Sequence, residues 1–397
     1  MTEITRRLRV SEADPYAGQS FGNDFVVVFN TYLSTGTTVS VPLQSTVNCT
    51  VNWGDGFSDS YTTTGEKSHT YAADGEYVVR ISGTLGCFGT QFGFSSATAR
   101  PYLTRCIQFG SVGMTRLTNA FKNCVNFSKC PATLPSTITS LEGTFSGCSI
   151  FNDSNVTGWN TSSVTTLNST FSGCKTFNQN LNSWNTANVT NMSSTFSGAD
   201  VFNQPLANWN TAAVTTMYGM FLGADLFNQP LNTWNVANVT TFELMFQVTK
   251  FNQPLDTWNV NKAISFYGMF AVCPFNQDID GWQINTSTLV DVNMGDMFRD
   301  NYAFNFSLNS WNTSRVNNMA FMFSASVSNN GVFNGNIADW DTSRVTSMLY
   351  MFSYQPFFNQ NLSGWCVSLI SSKPSGFDTG ATAWQTAFKP VWGTCPP

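Results

Sequence analysis

Apolar side chains recur along most of this 397-residue chain in a block of about 25 positions. Residues 202–226, FNQPLANWNTAAVTTMYGMFLGADL, give the plan. Phe202, Leu206, Trp209, Val214, Met217, Met220 and Phe221 are its apolar slots, and Asn, Gln, Thr and Ala fill most of the rest. Trp159, Trp184, Trp209, Trp234, Trp258, Trp282, Trp311, Trp340 and Trp365 mark the period, at gaps of 25, 25, 25, 24, 24, 29, 29 and 25 residues. One small unit copied at that period and stacked on itself predicts a solenoid whose Phe, Leu, Trp, Val and Met columns close a continuous core. The Phe-Asn-Gln-Pro-Leu-x-x-Trp part is short and carries Pro, so it predicts extended chain with a short strand near Leu and Trp. The spacing of Val214, Met217, Met220 and Phe221 predicts one or two helical turns.

Ahead of the repeats the pattern differs. FVVVFNTYL, TTVSVPL, STVNCTVNW and EYVVRISGTL are rich in Val, Thr and Tyr and are separated by Gly, Asp and Pro, which reads as strands. Trp53-Gly54-Asp55-Gly56 lies among them, followed by His69-Thr70-Tyr71 and Gly75-Glu76-Tyr77-Val78-Val79. Over residues 25–97 this wording resembles the polycystic-kidney-disease (PKD) type of immunoglobulin-like domain, which implies a small β-sandwich. The expected class is therefore mainly β with short helical turns: a leucine-rich-repeat-like solenoid plus an N-terminal immunoglobulin-like β-sandwich. The expected division is an arm at 1–24, the sandwich at 25–100, the solenoid at 101–365 and a C-terminal cap at 366–397.

Asn178, Asn203, Asn228, Asn252, Asn276, Asn305, Asn334 and Asn359 each follow the first Phe of a repeat. Stacked amides at a corner satisfy backbone groups that leave the ladder, so this column is expected to be structural. Asn185, Asn210, Asn235, Asn259 and Asn312, with Asp341 next, are expected to act the same way. Cys124, Cys148, Cys174 and Cys273 share a slot with Ala199 and Ala224, as small buried thiols would. Cys49, Cys87, Cys366 and Cys395 stand outside that column and are the candidates for disulfides. Extra residues between Trp282 and Phe298 and between Phe323 and Phe333 should leave the stack as loops. The repeat wording FNQPLxxWNTxxVTxMxxMFxGA closely resembles the BspA-like leucine-rich repeats of bacterial surface proteins, over about residues 115–365. That resemblance implies cell-surface display and adhesion, and similar repeats in phages and large viruses.

Composition narrows the function classes. Charged residues make up 10% of the chain and the net charge is −5, which argues against a broad nucleic-acid-binding face. Arg6-Arg7-Leu8-Arg9 is the sole basic cluster. No apolar run approaches the roughly 20 residues of a membrane helix, and the first residues lack the apolar core of a secretory signal. His69 belongs to the immunoglobulin-like motif. Asp278 with Asp280, Asp291 with Asp296, and Asp153 lack a partner nucleophile or metal set. The GDG turn accounts for Asp55 without an ion, and Asp59 is the other loop oxygen weighed for calcium. An enzyme, a cofactor and a metal are not expected.

The slots between the repeat Mets vary most and carry Tyr218, Glu243, Leu244, Tyr267, Phe321, Leu349 and Tyr350. An aromatic stripe on an Asn/Thr surface is a contact-site pattern, unless one of the two slots points inward. The expected function is a non-enzymatic virion structural or display protein, with the alternative of a bacterial cell-surface adhesin. Its N-terminal arm would dock on other virion or surface proteins, and its solenoid on a receptor protein or glycan, in a homo-oligomer or multi-copy assembly. The expected location is the virion surface, or alternatively the cell surface.

Overall fold

A computed structural model describes residues 15–16, 18–89, 100–284, 290–328 and 330–396. Arg6-Arg7-Leu8-Arg9 and most of the expected arm lie outside them, as does the middle of the first insertion. The described chain is mainly β, with almost no helix and no closed barrel. It falls into two compact units, Met1–Asn188 and Val189–Pro397.

The first unit begins with six antiparallel strands in one connected sheet: β1 (Phe25–Asn30), β2 (Thr38–Asn52), β3 (Ser58–Tyr61), β4 (Gly65–Thr70), β5 (Glu76–Phe88) and β6 (Leu103–Gln108). The order is β3-β2-β5-β1-β6, and β4 pairs with the first half of β2. The long β2 breaks register between Gln44 and Val47, where Ser45 takes φ 64°. Chain ahead of β1 is strapped down. Tyr16 donates its hydroxyl to Glu76 at 2.7 Å, Arg80 grips Asp24 at 2.6 Å, and Gln108 donates to the Gly22 and Asp24 carbonyls. The stretch from Tyr16 to Asp24 is therefore part of this sheet's packing, which shortens the segment expected to act as a docking arm.

Trp53 is fully buried, its indole N–H donates to Asp59 at 2.8 Å, and Tyr71 donates to its carbonyl at 2.8 Å. His69 stacks on Trp53 at 4.9 Å and meets Asp55 at 2.7 Å. The sheet runs straight into the repeats. Parallel bridges join Cys87 to Arg116, Arg105 to Lys129, Arg116 to Ser140 and Ser140 to Thr166. Among the described residues β5 and β6 are thus bridged directly to the first repeats.

Inside each repeat the structure departs from the helical expectation. After Met217, alternate amides go to different partners. Gly219, Phe221 and Gly223 donate to Glu243, Met245 and Gln247 of the next repeat at 2.8, 3.0 and 2.9 Å. Met220, Leu222 and Ala224 close three-residue turns onto Met217, Gly219 and Phe221. A helix would send every amide back along its own axis. Here half of them cross, because Gly219 and Gly223 sit at φ +53° and +66° and turn the chain at each corner. The expected strand near Leu and Trp is also displaced. Leu231 and Trp234 close a turn, and the parallel bridges fall at Thr216, Thr241, Ser265 and Asn293. Among the described residues of the repeats only β7 (Val292–Asn293) and β8 (Val316–Asn318) lengthen into paired strands.

Side chains repeat the same crossing. In the second unit the Trp rings stack with centroids 6.1 to 6.4 Å apart and planes within 7°, inside the range for offset aromatic stacking. Each indole N–H donates to a carbonyl one repeat earlier, as Trp258 does to Leu231 and Trp282 to Leu255, both at 3.0 Å. Buried Thr211, Thr313 and Thr342 donate to the Asn235, Asp341 and Cys366 carbonyls one repeat later. Neither feature was evident in the sequence beyond the recurrence of Trp and Thr.

The cysteines divide cleanly. Cys124, Cys148, Cys174 and Cys273 are fully buried, and the Cys148 thiol donates to the Phe121 carbonyl of the previous repeat at 2.9 Å. Burial pushes Cys124 and Cys273 up to about 12, so neither is a nucleophile at neutral pH. Cys366 and Cys395 form a disulfide, whereas Cys49 and Cys87 are free and buried. The sheet register explains that correction: Cys49 faces Gly83 and Cys87 faces Gln44, so the two thiols lie about four residues apart along the paired strands. Beyond Trp365 the tail packs Trp384 edge-on against Phe352 and Phe358 at 5.2 and 4.8 Å, and Asp378 is held by Lys373 and Lys389.

Asp55 gives the sheet a pH signature. Burial alone would raise its carboxyl, but the His69 hydrogen bond, the Phe57 amide and the His69 charge outweigh it and lower it below 3.8. The bond then stabilises the sheet above the ordinary carboxylate value, and that contribution disappears as pH falls through the lowered value. Urea midpoints followed from neutral to acid pH should fall at the acid end, and Asp55→Asn should flatten that limb. An unchanged limb in the variant contradicts the assignment.

Candidate functional site

One wall of the second unit differs from the rest of its surface. In the repeat of residues 202–226 it is formed by Tyr218, Gly219, Leu222 and Gly223. The Gly219 and Gly223 slots are left-handed in repeat after repeat. The first column runs Ser194, Gly219, Leu244, Gly268, Asp296, Phe321, Tyr350 and Gly376, with φ between 52° and 65°. The second includes Gly198, Gly223, Val248, Val272, Asp300, Tyr354 and Gly380, with φ between 52° and 76°. Glycine takes this conformation freely. A bulky residue there costs about 1–3 kcal/mol, and for β-branched valine it is an outlier.

Leu244, Val248, Val272, Phe321, Tyr350 and Tyr354 nevertheless occupy it, on one wall. The corresponding columns of the first unit hold Asn119, Gly143 and Ser169, and Asn123, Gly147 and Gly173. The strained bulky residues therefore belong to the second unit's wall alone among the described repeats.

The expected contact stripe falls on this wall. Tyr218, Leu349 and Tyr350 are 40%, 41% and 40% exposed, while Glu243, Leu244, Tyr267 and Phe321 are half-buried. None of these seven residues is buried, although Gly219, Gly268 and Asp296 of the same columns are. Val248 and Val272, at 43% and 45% exposed, extend the stripe and were missed, because a left-handed backbone leaves no mark when its residue is not Gly.

Neighbouring repeats organise these side chains. Phe321 and Tyr350 stack at 5.1 Å and 10°, and the Arg299 guanidinium lies 5.4 Å from the Phe321 ring. Arg299 also bonds Asp296 at 3.0 Å. Burial, then the charge of Asp296 and a hydrogen bond to it, push the Tyr267 phenol up. Ser265 donates to Glu243 at 3.2 Å. Part of the backbone cost is offset where a bulky residue lies over a glycine of the next repeat. A Cβ at Gly268 would sit 2.8 Å from Leu244 Cδ2, and one at Gly380 2.9 Å from Tyr354 Cδ1. What remains is a rigid strip of ring edges and aliphatic groups crossed by one cation and several carboxylates.

The Asn column lies elsewhere and is occupied internally. Asn203, Asn228, Asn252, Asn276, Asn305 and Asn334 each accept, through Oδ1, the backbone N–H of the next Asn in the series, at 2.6 to 3.2 Å. Asn359 accepts from the Gln385 amide at 3.1 Å, and in the first unit Asn178 donates its amide to Asn152 at 2.9 Å. In the second Asn series the bonds stay within the repeat: Asn185, Asn210, Asn235, Asn259 and Asn312 cap the amide two residues on, as does Asp341.

Carboxylates considered for chemistry have structural partners. Asp153 meets Lys129 and the Cys130 amide, Asp291 meets Arg344, Asp280 accepts from Ser310, and Asp278 accepts the Asp280 amide. Among the described residues no three His, Cys, Asp or Glu side chains gather as a metal set would require.

A family model described as "Mycoplasma protein of unknown function, DUF285" matches the chain three times, over residues 115–230, 205–293 and 285–389. Those overlapping matches follow the repeats and are consistent with BspA-like wording. No curated protein and no solved structure matches the chain.

The strained wall makes an unusual stability forecast. Glycine in ordered structure normally destabilises. Val248→Gly should instead raise the unfolding free energy by about 1 kcal/mol, because it relieves a left-handed valine. Urea denaturation of the full chain measures this, and a loss of stability contradicts the strain assignment.

Proposed function

The chain belongs to the DUF285 family, and from that footing we propose that it is a non-enzymatic display protein whose second-unit wall makes adhesive contact with a receptor. On this reading the repeats wind as a leucine-rich-repeat-like solenoid, and the strands ahead of them form a PKD-like immunoglobulin-type domain. The observation that carries it is the placement of Leu244, Val248, Val272, Phe321, Tyr350 and Tyr354 in left-handed slots where glycine serves elsewhere. Bulky side chains kept in left-handed slots where the counterparts of the first unit carry Gly, Asn and Ser point to function. Rigid rings with polar neighbours are also what a contact surface needs, since little side-chain entropy is lost on binding.

The carrier we propose is a virion. Eight of the ten cysteines are free thiols buried in the core. A chain with that many thiols suits folding in a reducing compartment, since oxidation during folding would pair them wrongly. The lone disulfide, Cys366–Cys395, closes the tail, where oxidation after release affects nothing in the core. The alternative is an exported cell-surface adhesin, favoured by that same disulfide and by the BspA-like wording.

Contact through the wall is tested with labelled full-length protein on target cells. Tyr218→Ser combined with Tyr350→Ser should lower binding about tenfold or more in protein whose circular dichroism shows it folded. Undiminished binding by the folded variant removes the wall from the account. Mass spectrometry of purified particles against envelope fractions decides the carrier: recovery from the envelope alone replaces the virion with the cell surface.

A further inference from the structure

A second site lies in the first unit, far in sequence from the wall. The short 3-10 turn Thr31–Leu33 and the residues after it form one side of an open cleft of about 680 Å³, and Pro101 and Tyr102 form the other. We infer that this cleft is a subsite for a neutral sugar, independent of the repeat wall. Three observations converge on that chemistry.

The first is an unused aromatic platform. Tyr32 is 48% exposed, its ring makes no aromatic contact among the described residues, and no hydrogen bond of its hydroxyl is seen among them. Tyr102 faces the same cleft, anchored edge-on to Phe29 at 5.5 Å. An aromatic face carries negative charge density and suits the weakly positive C–H face of a pyranose ring.

The second is the polar lining. Ser34, Thr35 and Thr38 supply hydroxyls that both donate and accept, matching the dual character of sugar hydroxyls. Ser34 and Thr38 already have protein partners, in the Gly36 carbonyl and the Thr70 hydroxyl, and each keeps acceptor capacity. Among the described residues no lining side chain is charged. A charged ligand would lose water there without gaining a counter-ion, so the cleft selects against ionised sugars, phosphates and acidic peptides.

The third is rigidity. Asn30 accepts the Tyr32 amide at 3.1 Å and so caps the turn, while the buried Thr31 hydroxyl accepts from the Gly75 amide at 2.9 Å. The platform is therefore fixed before any ligand arrives, which lowers the entropy lost on binding. The volume falls within the range of small-molecule clefts and suits one or two sugar rings.

The full chain is titrated with the methyl glycosides of glucose, galactose and mannose and with N-acetylglucosamine, using saturation-transfer NMR and then calorimetry. At least one should bind in the millimolar range or tighter. Tyr32→Ala should weaken it about tenfold, equivalent to about 1.4 kcal/mol. Gly36→Trp, placed where an added Cβ meets nothing within 4 Å, should block the cleft without removing any contact. The Tyr218→Ser, Tyr350→Ser variant should bind the sugar as the parent does, so failure of this site and failure of the wall are told apart. Binding of none of the four sugars overturns the inference. So does sugar binding unaffected by both cleft variants, or occupancy of the cleft by a proline-rich peptide in place of sugar.

Discussion

Everything in the repeats depends on one constraint: a chain turn with no helix and almost no strand of its own must satisfy its buried amides on its neighbour. The Gly219, Phe221 and Gly223 amides donate to backbone carbonyls of the next repeat, the Asn276 amide donates to the Asn252 side-chain oxygen, and the Trp258 indole donates to the Leu231 carbonyl. An unpaired buried polar group costs on the order of 1–3 kcal/mol, so each repeat is held in register by several such bonds at once. Register then fixes composition. A column position can be satisfied only by the same chemistry in the next repeat, which is why Asn, Trp and the Phe pair recur so faithfully. The slots outside that demand, 218–219 and 222–223 in the repeat of Trp209, are where the chain is free to vary. The proposed contact residues collect there.

How much of this the sequence disclosed follows from what each feature writes into residue identity. The Trp period, the buried Phe and Met columns and the small Cys slot are composition, and composition was readable. The helical reading of Val214-Met217-Met220-Phe221 failed for a physical reason. Apolar spacing of three and four fits a helix and fits a set of tight turns, and only the destination of the amide hydrogen separates them. The left-handed columns were partly visible, since Gly alternates with Leu, Tyr and Phe at one slot. Without the backbone that alternation looked like simple variability. Pairing of Cys366 with Cys395, and the isolation of Cys49 from Cys87, depended on strand register. The handover from β5 and β6 to the repeats did too.

The two candidate sites share a logic. Each places an aromatic side chain where folding does not require one, on backbone that is already fixed. At the wall the evidence is backbone strain that Gly would relieve. At the Tyr32 cleft it is a ring without an aromatic partner among the described residues, beside neutral hydroxyls. A surface built from amide ladders is otherwise saturated with its own hydrogen bonds, as Asn228, Asn252 and Asn276 illustrate. On the proposed reading, recognition is left to the few positions that interrupt it.

Residue-resolved amide hydrogen exchange on the native chain tests the crossing bonds most directly. The amides of Asn228, Asn252, Asn276 and Asn359 lie on half-buried corners, and each donates to an Asn side-chain oxygen one repeat away. If those bonds hold the stack in register, these amides exchange as slowly as the buried Phe221 and Phe246 amides, through the same cooperative opening. Exchange near the rate of unstructured chain at the Asn corners, with the Phe amides still protected, would contradict the account.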